Sequence, residues 1–197
     1  MGDFLAQPLR SLLQVKQFIA LAKSQPGVTC GNSGVGTVTH MAAEKLGWRA
    51  NVKLTPVSYK GGAVPVIALL SGEIATVITT IPAGLPHMRS GKLVALGVTA
   101  EKRSAYLPDI PAVGETVKGV DAAVIAGVLA PAGTPAAVIE RLNAEFAKAS
   151  ESPKAKEIFA TNAAETLRQS PATMQRALEQ DVKTWAEVVK ATGVKVN

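Results

Sequence analysis

Cysteine, histidine and aromatic residues are scarce in this chain, and each scarcity closes off a class of function. The single cysteine among 197 residues, Cys30, excludes an internal disulfide and a thiolate metal cluster, and it reads as a small buried strand residue. The two histidines, His40 and His87, stand far apart with no cysteine or carboxylate at ligand spacing. No metal site is therefore expected, and each reads as a helix-surface or hydrogen-bonded histidine. Aromatics make up 4%, too few for base stacking, and the 21 Lys and Arg are scattered rather than gathered into a basic arm. No nucleic-acid partner is expected despite a net charge of +6, which fits a bias toward anionic small molecules. No apolar run reaches the ~18 residues a membrane helix needs. The first ten residues, MGDFLAQPLR, lack the basic start and apolar stretch of a secretory signal.

What is present is the material of a folded α/β protein: 47% hydrophobic and 18% charged residues, with a core drawn from Val, Ile, Leu and Ala. The spacing of Leu12, Val15, Phe18, Ile19 and Ala22 predicts a helix over 11–24, ended by Pro26-Gly27. A strand from Val28, a loop with Gly31, Gly34 and Gly36, and a helix over 37–46 capped by Gly47 follow. Further strands are expected at 51–57, 74–79 and 93–99, with helices over 63–70 and from Pro82 to Met88 between them. Pro56 suggests that its strand lies at an edge. This alternation is the pattern of a parallel sheet, and ligands in such sheets sit beyond the strands' carboxyl ends. Four loops answer that description: 31–36, 58–62, 79–83 and 99–104. After Thr99 the texture changes to an extended connector at 104–111, a short helix over 112–117 and strand-like pieces at 121–129 and 164–167. Helix starts are expected at Thr134-Pro135, Ser152-Pro153 and Ser170-Pro171, where a hydroxyl N-cap precedes proline. In the last of these helices Trp185 reads as a packing residue rather than a ligand stacker.

The loop GNSGVGT at 31–37 resembles three catalytic or nucleotide motifs and matches none. Gly31 and Gly36 have the spacing of a phosphate loop, but Thr37 stands where its lysine belongs. Gly31-Asn32-Ser33 begins a nucleophile elbow, but Val35 replaces its second glycine and both histidines precede Asp109, Asp121 and Asp181. The spacing of a dinucleotide fingerprint is absent, as is an acid closing the next strand. Paired catalytic carboxylates are also lacking. Recognition without chemistry is what survives. Backbone amides and the hydroxyls of Ser33, Thr37, Ser58, Tyr59, Thr79 and Thr80 can hold a carboxylate, directly or through water. Equally, the glycines make tight turns and the hydroxyls cap helices, and local sequence leaves both readings open.

Several stretches in order carry a further signal: IALAKSQPG, GNSGVGTVTHMAAEKL, PVSYKGGAVPVIALLSGEI, IPAGLPHMRSGKLVALGVTAEKRSAYLPDIPAVGET and APAGTPAAVIERLNAEFAKA. Through them the chain from Leu12 onward resembles the Bug (TctC-like) solute-binding proteins of tripartite tricarboxylate transporters. The resemblance implies a periplasmic-binding-protein-like α/β fold of two lobes (a Venus flytrap). Residues 11–120 would form the second lobe with the ligand loops, and 121–197 would return to the first lobe, whose N-terminal part is absent. It also implies a periplasmic location, transporter subunits as partners and no cofactor. The solute would be a small carboxylate, namely a di- or tricarboxylate or an acidic amino acid. The ligand-binding residues so implied are Gly31, Asn32, Ser33, Gly34, Gly36 and Thr37, with Tyr59, Gly61, Thr79, Thr80 and Ala83 as further cleft wall. Ala75 and Thr79 stand where the family commonly has acids, which alters the local polar network. Two rival readings remain: a remnant that acts only in protein–protein association, and a small esterase using Ser33.

Overall fold

The computed structural model describes residues 14–195. The start of the first predicted helix at 11–13 and the segment MGDFLAQPLR lie outside them, as do residues 196–197. The elements are α1 (Val15–Ser24), β1 (Val28–Asn32), α2 (Val38–Ala50), β2 (Leu54–Ser58), α3 (Val64–Ser71), β3 (Thr76–Val77), α4 (Ile81–Arg89), α5 (Ala136–Ser150), α6 (Pro153–Thr161) and α7 (Pro171–Thr192).

The sheet is parallel, in the order β2-β1-β3. Val28 to Asn32 pair in register with Leu54 to Ser58, and Cys30 and Gly31 pair with Thr76 and Val77. Pro56 therefore lies on an edge strand, where its missing N–H breaks no ladder. Alternate β1 residues face opposite sides. Val28 joins Val15, Phe18, Ala22 and Leu46 in the main core, together with Val113, Val117 and Val120. Gly31 faces the other way, and a Cβ there would stand 2.4 Å from Ile74 Cδ1 and 3.1 Å from Pro65 Cβ. Glycine at this position lets α3 settle against the central strand.

Several predicted boundaries shift. α2 passes through Gly47 and stops at Asn51, whose left-handed φ of 51° ends the helix and whose N–H reaches Gly47 O and Trp48 O. Gly47 is instead a close-approach site, 3.1 Å from Val52 O to the position of a Cβ. The strand predicted at 74–79 shrinks to Thr76–Val77. Residues 93–99 form no strand, because their hydrogen bonds turn elsewhere: Val98 exchanges bonds with Pro111 and Val113, and Thr99 O accepts from Ala122 N. Among the described residues the sheet thus has three strands, not four, and the 99–104 loop does not extend a strand. Neither 121–129 nor 164–167 forms a strand, for lack of a ladder partner. The helix predicted over 112–117 is a single 3-10 turn, Val113–Glu115.

Ser152 and Ser170 cap α6 and α7, accepting from Ala155 N and Thr173 N. Thr134 does not cap α5; its hydroxyl turns back to Pro131 O at 2.8 Å. α7 packs on α2, with Val188 fully buried. Trp185 lies under the Lys45 ammonium, in keeping with a packing role. α5 and α6 bury no residue completely, and Leu142, Phe146 and Ile158 remain exposed.

Candidate functional site

Three chain turns meet where β1, β2 and β3 end. Tyr59 N donates to Asn32 O, Gly61 N to Ser33 O, and Ile78 N to Gly31 O, at 3.0–3.1 Å. The loops after β2 and β3 are thereby stitched to the loop after β1. Asn32 fastens two of them further. Its side chain is fully buried, and Oδ1 accepts from both Gly34 N and the Ser58 hydroxyl at 3.0 Å.

The glycine loop satisfies most of its own amides. Ser33 N donates to Thr39 Oγ1 at 2.9 Å, Gly36 N to His40 Nδ1 at 3.1 Å, and Thr37 N to Gly34 O at 3.2 Å. Thr37 Oγ1 donates to Gly34 O at 2.7 Å and accepts from His40 N at 3.4 Å, so Thr37 is the N-cap of α2. Gly34 and Gly36 are at φ 139° and 75°, which a side chain would strain. These glycines shape the loop; the amides of Ser33, Gly34, Gly36 and Thr37 are turned inward rather than offered to an anion. His40 is buried and accepts on Nδ1, and its Nε2 lies 3.8 Å from Glu44 Oε1.

Tyr59 is also committed elsewhere. Its hydroxyl donates to Glu73 Oε1 at 2.7 Å, and that bond pushes the phenol up to about 12. Gly61, at φ 93°, faces open space, and Ala83 donates its N–H to Thr80 O. The Cys30 thiol, enclosed in β1, is pushed by burial up to about 12 and remains neutral and unreactive.

What converges is a set of side-chain groups around Gly62. A Cβ there would stand 3.5 Å from Thr79 Oγ1, 3.6 Å from Ser33 Oγ and 3.7 Å from Thr80 Oγ1. Thr79 donates to Gly62 O at 3.0 Å, and Thr80 makes no capping bond to α4. Among the described residues, Ser33 Oγ is buried with no partner, as is Asn32 Nδ2. An unpaired buried polar group costs about 1–3 kcal/mol, so both atoms are open to a partner beyond the described residues. The sequence singled out Ser33, Thr79 and Thr80, which the fold brings together; it passed over Gly62, Thr39 and Glu73. The Gly61-Gly62 pair was the available signal for the first of these. The cluster opens at Thr79 and Thr80 onto a concavity of about 2940 Å3 that α5, α6 and residues 124–130 also line.

Comparison with known proteins agrees with this architecture. Residues 4–194 match the tripartite tricarboxylate transporter family receptor, TctC. BugT of Bordetella pertussis is 31% identical over 193 residues, covering 96% of this chain and 59% of BugT. The structure of R. palustris Rpa4515 with adipate superposes with a TM-score of 0.82 at 30% identity, over 93% of this chain and 62% of that one. The structure of the periplasmic binding protein BugD gives 0.76 at 28% identity, over 98% and 64%. The chain spans about half the length of the curated relatives it matches. The matched family is one of transporter receptors, and BugD, whose fold this chain shares, is a periplasmic binding protein, a solute-binding rather than enzymatic role. With a family match along nearly its whole length and a parallel α/β sheet of that fold, the chain belongs to the TctC family of tripartite tricarboxylate transporter receptors.

Proposed function

We propose that this chain carries one wall of a periplasmic site that captures a small carboxylate for a tripartite tricarboxylate transporter. The observation that carries the reading is the buried, unpartnered Ser33 hydroxyl, which shares the space around Gly62 with Thr79 and Thr80. A carboxylate oxygen accepts from several hydroxyls at once, and such charge-assisted bonds are about twice as strong as neutral ones. The adipate in Rpa4515 supports a dicarboxylate as the class of solute. Residues 11–120 would form the lobe with this wall and 121–197 would return to the facing lobe, with the end of α7 packed back on α2 as the tie between them, so that binding closes one upon the other. Within this reading Ser33, Thr80 and Asn32 touch solute or its bridging water. Gly34, Gly36, Thr37 and Tyr59 hold the loops in place.

Calorimetric titration of the polypeptide in its full genomic length tests this, with adipate, malate, citrate and glutamate as probes. Saturable binding of at least one is expected, weakened by Ser33→Ala. Silence with all such acids would sink the proposal.

A second reading, association with another protein, is favoured by the exposed apolar side chains Leu142, Phe146 and Ile158 on α5 and α6. Sedimentation velocity separates the two: concentration-dependent association with no solute binding would support this alternative.

A further inference from the structure

Away from the hydroxyl cluster, four cations share one pocket of about 350 Å3. Lys16 and Lys23 come from α1, Arg49 from the last turn of α2, and Lys118 from the segment after the 3-10 turn. All four are exposed. Among the described residues none makes an ion pair or hydrogen bond, and no carboxylate lines the pocket. Glu115 feels the charge of Lys118, but Arg103 already holds both its oxygens, at 2.8 and 2.9 Å. Among the described residues no carboxylate is thus paired with these four cations.

The arrangement is also partly rigid. The Arg49 guanidinium lies 4.0 Å from the centre of the Trp48 ring. Its Nε stands 3.3 Å from where a Cβ of Gly119 would be, a tight approach, and the φ of 76° at Gly119 favours glycine there. A guanidinium held flat in this way keeps its donors pre-set for a carboxylate. Ile19, Ala50 and Val117 add apolar lining between the cations. The surplus charge of the molecule belongs to this part of the chain: residues 14–120 hold eleven Lys and Arg against five Asp and Glu, while residues 121–197 hold nine of each. α2 is about 20 Å long at 1.5 Å per residue, so Arg49 stands at the opposite end of that helix from the glycine loop.

We infer that this pocket docks an acidic segment of a partner protein, with carboxylates against Lys16, Arg49 and Lys118 and one apolar side chain against Ile19 and Val117. A recess of this volume admits a few side chains. Its apolar lining has no use for a bare inorganic anion. A partner seated here would leave the loops around Gly62 uncovered, so docking and solute capture can proceed together.

The test is an NMR titration of the 15N-labelled chain, at low ionic strength, with the capped peptide Glu-Glu-Leu-Glu-Glu. Shifts confined to α1, the end of α2 and 116–119 are expected, with no response to Gln-Gln-Leu-Gln-Gln. Lys16→Glu/Lys118→Glu should lower the affinity by about tenfold or more, because like-charge contacts replace attractive ones, and the melting temperature should hold. Replacing the peptide's leucine by serine should weaken it further. The inference is overturned if charge reversal leaves the affinity unchanged, or if the shifts fall elsewhere. Phosphate alone or phosphatidylglycerol vesicles producing the same shifts, where the peptide produces none, would overturn it too.

Discussion

The Lys45 ammonium stands 5.1 Å from the centre of the Trp185 ring. It also donates a 2.6 Å hydrogen bond to Asp121 O. One side chain of α2 thus ties together the start of the 121–130 segment and the C-terminal helix. Burial lowers the Lys45 pKa, although the Asp121 carboxylate pulls the other way. Lys45→Ala should cost about 2 kcal/mol, the sum of a charged hydrogen bond and a cation–π contact. Lys45→Met, which keeps the aliphatic stem on the ring, should recover part of that loss. Urea unfolding followed by circular dichroism measures both.

A binding group and a structural group respond in opposite ways to truncation, and Ser33 offers that contrast. Its buried hydroxyl has no partner among the described residues, so Ser33→Ala should leave stability unchanged or raise it by up to about 1 kcal/mol. Solute affinity should fall. Gly62→Ala should also fold normally, since its Cβ meets oxygens at ordinary distances of 3.5–3.7 Å. It would occupy the space between the hydroxyls and reduce affinity about tenfold, the effect of roughly one displaced hydrogen bond. Thermal melting and calorimetry on the same samples separate the two effects.

The close approach at Gly31 gives a test of packing alone. Gly31→Ala drives its Cβ against Ile74 Cδ1 and Pro65 Cβ and should destabilise by about 1–3 kcal/mol. Ile74→Val removes the atom at 2.4 Å. The double variant should therefore be more stable than the two single losses add up to. Additive losses would mean that the clash is with Pro65.

Cys30 predicts a pH dependence. Its folded pKa, near 12 against an ordinary 9.0, lies above the unfolded one, so the folded chain keeps a proton that the unfolded chain releases. The contribution is complete below pH 9 and is lost as pH rises toward 12. Chemical denaturation at pH 8 and pH 10.5 should show stability falling in the native chain. The fall should be smaller in Cys30→Ala, with the difference between them on the order of 1–2 kcal/mol. Parallel curves for the two proteins would refute the assignment.

The strand–glycine–helix unit at 28–50 was readable in the sequence because glycine, proline and apolar period act locally. Ser152 and Ser170 were legible as caps for the same reason. Thr134 was not, since its hydroxyl prefers the Pro131 carbonyl, three residues back. Strands were the weaker readings. Residues 93–99 have strand composition, but a strand exists only if a neighbour supplies its ladder, and here 111–113 and 122 take those bonds. In the site, the hydroxyls of Ser33, Thr79 and Thr80 were legible from their place at strand ends. The inward commitment of the loop amides was not. It depends on Thr39 and His40 turning back from α2 to meet Ser33 N and Gly36 N, a geometry that composition and spacing do not encode.

Asn32 has a consequence for how such a receptor changes its preference. One buried amide oxygen holds the first two loops together, while Ser33, Thr79 and Thr80 supply the hydroxyls. In the proposed site the Asn32 oxygen that sets the frame is therefore distinct from the Ser33 and Thr80 hydroxyls that would meet solute. If that site holds, a substitution at Ser33 or Thr80 should alter what is recognised without loosening the loops, and variants with a new preference would lie one residue away and still fold. Replacing Asn32 would disturb every preference at once.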